Sequence, residues 1–193
     1  MIYETIISSI NKAGDLHIAP MGITKENDLF VIAPFKPSQT LDNLSTIKQA
    51  VINMTDDVSV IAGCLTGRRN WPVKEANTVN GHILCAALSH IEVEVSFVEE
   101  DELRPRFHCK EVYTETHAPF KGFNRAQAAV LEAAILVSRL RMLPLAKIRS
   151  EIDYLQIAID KTAGEKEKLA WDWLMKSVEK HLDMKNGEAE LKS

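Results

Sequence analysis

The chain has 193 residues, 46% hydrophobic and 26% charged, enough for a buried core in one domain or one domain with an appendage. Its formal net charge of -4, with no dense basic stripe, speaks against a nucleic-acid-binding surface. No apolar run approaches the roughly 20 residues of a membrane span, and Met1-Ile2-Tyr3-Glu4 lacks a secretion-signal pattern, so a cytoplasmic protein is expected. Cys64, Cys85 and Cys109 are odd in number and widely spaced, which disfavours a disulfide framework and paired zinc ligands; all three are expected to be small buried residues.

Residues 2–10, rich in Ile, Thr and Ser, read as a first strand closed by the turn Asn11-Lys12-Ala13-Gly14-Asp15, with Leu16–Thr24 as its antiparallel partner. In that return strand Pro20 removes a ladder donor and Gly22 bares the backbone, which marks either a bulge or the close approach of another molecule. After the polar turn Lys25-Glu26-Asn27-Asp28, the apolar run Leu29–Ala33 reads as a buried strand. Pro34 and Pro37 then hold Phe35-Lys36 in extended or turn backbone. Ser38 or Thr40 caps a helix in which Leu41, Leu44, Ile47 and Val51 recur every three or four residues, and which ends around Asn53–Asp57.

The first N–H groups of a helix have no intrahelical partner and carry the positive end of the dipole. A loop that delivers Lys36, Ser38, Gln39 and Thr40 to such an end has two readings, capping alone or a phosphate site. Val58–Leu65 reads as a further strand, and 66–72 as a loop whose Arg68, Arg69 and Trp71 clamp an anion, contact a partner subunit, or simply stand at the surface. Residues 73–81 are weakly patterned and read as loop.

Ile91, Val93, Val95 and Phe97 alternate with Glu92, Glu94 and Ser96, which predicts a strand with one buried face and one acidic face in water. Glu99-Glu100-Asp101-Glu102 makes the turn and Arg104–Thr116 the return strand. The last third is helical: Asn124 caps a helix over 125–142, Pro144 opens a second, and after Gly164 a third runs over 165–182, followed by a charged, fraying tail at 183–193. The fold class is therefore α+β and mainly β, with a β-rich domain over 1–120 and a three-helix subdomain over 121–193.

Walker A, Gly-x-Gly-x-x-Gly, Gly-x-Ser-x-Gly and His-Glu-x-x-His patterns are all missing. His82-x-x-Cys85 and His108-Cys109 do not repeat with ligand-like spacing, so no metal site is expected. His17, beside Pro20 and Gly22, suggests a binding role, with a hydrogen-bonded structural role as the alternative.

Five segments together resemble one family: His-Ile-Ala-Pro-Met-Gly-Ile at 17–23, Ala-Pro-Phe-Lys-Pro-Ser-Gln-Thr-Leu-Asp-Asn-Leu at 33–44, Val-Ile-Asn-Met-Thr-Asp-Asp-Val at 51–58, Leu-Thr-Gly-Arg at 65–68 and Phe-Asn-Arg-Ala-Gln at 123–127. They are similar to the FMN-binding proteins grouped as domain of unknown function 447, over nearly the whole chain. The resemblance implies a flavin-reductase-like split β-barrel, a six-stranded Greek key shared with pyridoxamine-phosphate oxidases. It also implies a homodimer with FMN in the groove between subunits.

On that resemblance, the phosphate at Lys36, Ser38, Gln39 and Thr40 belongs to FMN, and His17, Ala19, Pro20, Met21 and Gly22 lie along the ribityl chain or ring, with Asn53 a further candidate. The implied function is a flavin-reductase-like oxidoreductase drawing on NAD(P)H or another small reductant; the alternative is a non-catalytic carrier of FMN or another phosphorylated heterocycle. No protein nucleophile is required, because a flavin carries its own hydride and electron chemistry.

Overall fold

The structure is a computed structural model that describes the backbone of residues 1–190 and the side chains of 1–185. It contains two compact units, one of residues 1–56 and 69–120, the other of residues 57–68 and 121 onward.

The first unit is a six-stranded antiparallel barrel. Strands β1 (Tyr3–Ile10), β2 (Leu16–Glu26), β3 (Leu29–Ile32), β4 (Gln49–Met54), β7 (Ser89–Glu99) and β8 (Arg106–Thr116) close in the order β1-β2-β3-β8-β7-β4, and β5 (Val73–Glu75) and β6 (His82–Leu84) form a separate two-stranded ribbon. Ile7, Ile23, Phe30, Ile32, Ile52, Ile91, Val93, Phe107 and Cys109 fill the interior, with Leu44 of helix α1 (Gln39–Ile47) packed into the same cluster. Burial pushes the Cys109 thiol up to about 12, so this sulfur behaves as part of the apolar core.

The expected helix from Leu41 to beyond Val51 is two elements. Lys48 takes a left-handed conformation (φ 60°) and donates its N–H to Leu44 O, which stops α1. The following Ala50, Val51 and Ile52 are fully buried in β4 between β1 and β7, a setting that suits β-branched side chains better than a surface helix does.

The expected strand over 58–65 is also different. Val58–Leu65 is helix α2, capped by Asp57, whose carboxylate accepts from Ser59 N–H, and residues 58–64 are all buried. A short run apolar on every side has no period to distinguish strand from helix, and here the cap decides. Residues 73–75, expected as loop, add the short strand β5.

The second unit contains α2, α3 (Arg125–Ser138), a 3-10 turn at Leu140–Met142, α4 (Leu145–Thr162) and α5 (Glu165–Glu190). Asn124 caps α3 by accepting from Ala126 and Gln127 N–H, and alanines at 126, 129, 133 and 134 allow close helix approach. α2 packs against α3 and α5. α5 outruns its expected end at 182; the tail expected over 183–193 lies partly outside the described residues. Among the described residues no helix is long and apolar enough to cross a membrane. Cys64 and Cys109 are buried as expected, but Cys85 is exposed because it follows the edge of the β5–β6 ribbon.

Candidate functional site

β2 is zipped to β1 from Leu16 to Ile23, but to β3 only from Ile23 to Glu26. Over residues 16–22 it therefore pairs, among the described residues, with β1 alone, and an antiparallel strand has main-chain groups on both edges. Ala19, Pro20, Met21 and Gly22 are all half-buried in this part, and Pro20 sits opposite Ile6 without breaking the register. Gly22 has a local reason as well: a Cβ there would lie 2.8 Å from Ile2 Cγ2, so Ile2, just before β1, occupies the space that the missing side chain leaves.

Helix α1 packs against β1 and β2. Asn43 of α1 donates to Ser9 Oγ (3.0 Å), and Ser9 is the β1 partner of His17. Ser38 is the N-cap: its Oγ accepts from Leu41 N–H at 3.3 Å and its carbonyl from Asp42 N–H at 3.2 Å. Gln39 and Thr40 N–H precede the first helical bonds and have no protein acceptor among the described residues. The Gln39 side chain donates to Asn43 Oδ1 (2.8 Å), while Thr40 is 2% exposed and faces inward.

The loop that feeds α1 is latched by the β7–β8 turn. Arg104 donates from Nε and Nη2 to Ala33 O (3.1 and 2.9 Å) and stacks its guanidinium 4.3 Å from the Phe35 ring centroid. Lys36 N–H donates to Leu103 O (2.8 Å), and Lys36 Nζ to Asp101 O (2.8 Å), with Glu100 3.7 Å away. Asp101 accepts from Leu103 and Arg104 N–H, which hold its carboxyl below the usual range. In this arrangement Lys36 serves the latch and lines a cavity of about 350 Å³ with Leu41, Asp42, Lys48, Val98 and Phe107. Ser38, Gln39 and Thr40 are not among the residues lining that cavity.

His17 is half-buried; burial first, and then the positive charge of Arg69, hold its imidazole below its ordinary value, which favours the neutral ring. Arg69 thus stands within electrostatic reach of His17, whereas Arg68 stacks on Trp173 (3.8 Å) and donates to Thr66 Oγ1. Asn53 is fully buried and braces three strands: Nδ2 donates to Ile6 O and Ser8 Oγ, and Oδ1 accepts from Leu84 N–H at 2.8 Å. Its amide is committed inside the frame.

Two features leave no local trace in the sequence. The Arg104–Ala33 latch joins residues far apart in the chain and has no local signal. Glu92, expected in water, is fully buried; its carboxylate accepts from the N–H groups of Asn77, Thr78 and Val79 at 2.6, 2.6 and 2.9 Å.

Among solved structures, an FMN-bound protein from Methanosarcina mazei, MM1853, matches over 91% of this chain and 94% of its own at 18% identity, with a TM-score of 0.78. The 2-nitrobenzoate 2-nitroreductase NbaA of Pseudomonas fluorescens matches over 59% of this chain and 64% of its own at 20% identity (TM-score 0.51). Flavoredoxin from Methanosarcina acetivorans matches over 60% and 69% at 12% identity (TM-score 0.53). At these identities the likeness is one of fold, the flavin-reductase-like barrel. A search of curated proteins finds no match. Family models described as the N-terminal domain of a protein of unknown function, DUF447, and as DUF447 match residues 3–118 and 124–176. The chain belongs to the DUF447 family.

Proposed function

We propose that the protein is an FMN-binding flavoprotein of the flavin-reductase-like class, acting in the cytoplasm as a homodimer with FMN in the groove between subunits. The observation that carries this reading is the pair of acceptor-less N–H groups of Gln39 and Thr40 at the capped start of a helix that packs against β1 and β2. An anion with several acceptor oxygens fits these groups, and an extended ligand with a polar edge fits the stretch of β2 that pairs with β1 alone. The FMN-bound state of the same-family protein from Methanosarcina mazei supports the choice of ligand.

In this reading Ser38, Gln39 and Thr40 hold the phosphate, and Lys36 is drawn toward it from the latch. His17, Ala19, Pro20, Met21 and Gly22 flank the ribityl chain and ring, and Asn53 fixes the strands behind them. Arg69 adds positive potential beside His17. Bound FMN supplies hydride and electron chemistry, while the chain supplies position and electrostatics.

Purified protein titrated with FMN is expected to quench flavin fluorescence at one equivalent per chain; absence of binding refutes the proposal. Anaerobic addition of NADH or NADPH to the loaded protein is expected to bleach the flavin. Persistent yellow colour with both would instead favour the carrier reading.

Arg104→Ala removes both bonds to Ala33 O and the stacking on Phe35. A charged hydrogen bond at an exposed site is worth about 1 kcal/mol, so FMN affinity is expected to fall roughly fivefold as the loop before α1 loosens. Fluorescence titration of this variant checks it: an unchanged Kd means that the latch does not position the site.

A further inference from the structure

A second concentration of chemistry-bearing side chains lies where β7 and β8 run side by side. His90 of β7 is fully buried, directly opposite Glu115 of β8, and His117 follows two residues later. His90 Nδ1 lies 2.8 Å from His117 Nε2, the two rings parallel with centroids 4.9 Å apart. On its other side His90 Nε2 lies 3.2 Å from Glu92 Oε1.

Glu92 determines what His90 can do. Its carboxylate already accepts from three backbone N–H groups and from Asn77 Nδ2, so it is an acceptor with no proton to give. Nε2 of His90 must therefore carry the hydrogen and donate it, which leaves a lone pair on Nδ1, aimed outward at His117. A carboxylate behind a histidine that fixes its tautomer and ring orientation is the usual supporting arrangement of a metal-ligating imidazole. The exposed side chains of Glu115 and His117 complete the constellation: one ring nitrogen from each histidine and a carboxylate oxygen of Glu115 all lie within 4.8 Å of one another.

We propose that His90, Glu115 and His117 form a site for a divalent transition metal of the zinc class, with His90 Nδ1 as the preorganised ligand and Glu92 as its support. Two imidazoles and one carboxylate suit zinc and its neighbours better than calcium or magnesium. Three protein ligands leave a coordination position open to water or a small ligand. Neighbouring ligand atoms on such an ion, with bonds of about 2.1 Å, stand roughly 3.0–3.4 Å apart, so the histidine nitrogens must open by a few tenths of an ångström, the His117 ring must turn out of its parallel stack, and the Glu115 oxygen must close in from within 4.8 Å. Both the exposed His117 and the exposed Glu115 are free to make that adjustment. Lys74 works against the site, since its positive charge reaches His117.

The three residues lie on two strands, and no local ligand spacing announces them. Zinc alone is the probe. Tag-free, chelator-stripped full-length protein titrated calorimetrically with zinc sulfate in the absence of FMN is expected to bind one equivalent per chain. His117→Ala is expected to weaken that binding at least 100-fold and Glu115→Gln about tenfold. Lys74→Ala is expected to tighten it a few-fold. His117 holds Leu88 O through its backbone N–H, which the substitution preserves, so an unchanged melting temperature verifies that the variant is folded. Cobalt(II) gives the second readout: visible absorption bands of a low-coordinate site in the parent protein and their loss in His117→Ala. No stoichiometric zinc binding by the parent protein, or equal binding by the His117→Ala and Glu115→Gln variants, overturns the proposal.

Discussion

Ser38→Asp is expected to weaken FMN binding by about 100-fold while leaving the melting temperature unchanged or slightly raised. The cap itself survives, because Asp accepts the Leu41 N–H as well as Ser does, and its charge is favourable at the positive end of α1. The same charge stands where the proposed phosphate would sit. Two unit charges about 4 Å apart in a surface environment repel by roughly 4 kcal/mol, and solvent screening brings that down to the expected two orders of magnitude. Fluorescence titration with FMN, alongside a thermal melt, reads both quantities. Lost affinity in a protein of undiminished stability supports the phosphate position. Unchanged affinity moves the phosphate away from α1, with Arg69, beside His17, as the next cation.

Glu92→Gln is expected to cost about 3–5 kcal/mol of stability, the range for breaking one member of a buried, fully bonded charged set. Glutamine offers a single acceptor oxygen where the carboxylate now meets the N–H groups of residues 77, 78 and 79, and its amide hydrogens face donors. For a chain of this size the melting temperature is expected to fall on the order of 10 °C. The pH dependence has a definite sign. Burial alone would raise the Glu92 carboxyl, but the backbone N–H bonds together with His90 outweigh it and hold it below its ordinary value of 4.5. A group depressed in the folded state stabilises fully above its unfolded value and loses that contribution as pH falls through the folded one. The stability gap between the parent protein and Glu92→Gln should therefore be complete at pH 7 and shrink below about pH 4.5. A gap independent of pH would mean that shape, and not charge, makes this carboxylate valuable.

What could be read from the chain alone was what repeats locally. The β1–β2 hairpin, the strand at 89–99 and the three C-terminal helices each carry a period or a cap that survives without tertiary context. α2 has a cap in Asp57 but no period, because its buried run 58–64 is almost wholly apolar, and β4 follows a helix stopped by a left-handed Lys48, which leaves no Gly or Pro as a marker. Glu92 shows the same limit from the other direction. Its alternation with Ile91 and Val93 marks it as facing away from the barrel interior, which it does; that face is then covered by the segment around Asn77–Val79, which no pattern within β7 foretells. At the candidate site the legible part was the coincidence of a bare strand and a helix start. The latch that places them comes from the far end of the barrel sequence, as does the Arg69 charge beside His17 from a separate loop.

The placement of α2 also sets an order of events during synthesis. Its seven buried residues, 58–64, find cover on α3 and α5, which begin at Arg125 and Glu165. At ribosomal speeds of roughly 5–20 residues per second, the stretch from Leu65 to Arg125 alone takes about 3–12 s to emerge. β8, the last barrel strand, ends at Thr116, before α3 starts. All the barrel strands thus leave the ribosome before α3 and α5, the helices against which α2 packs.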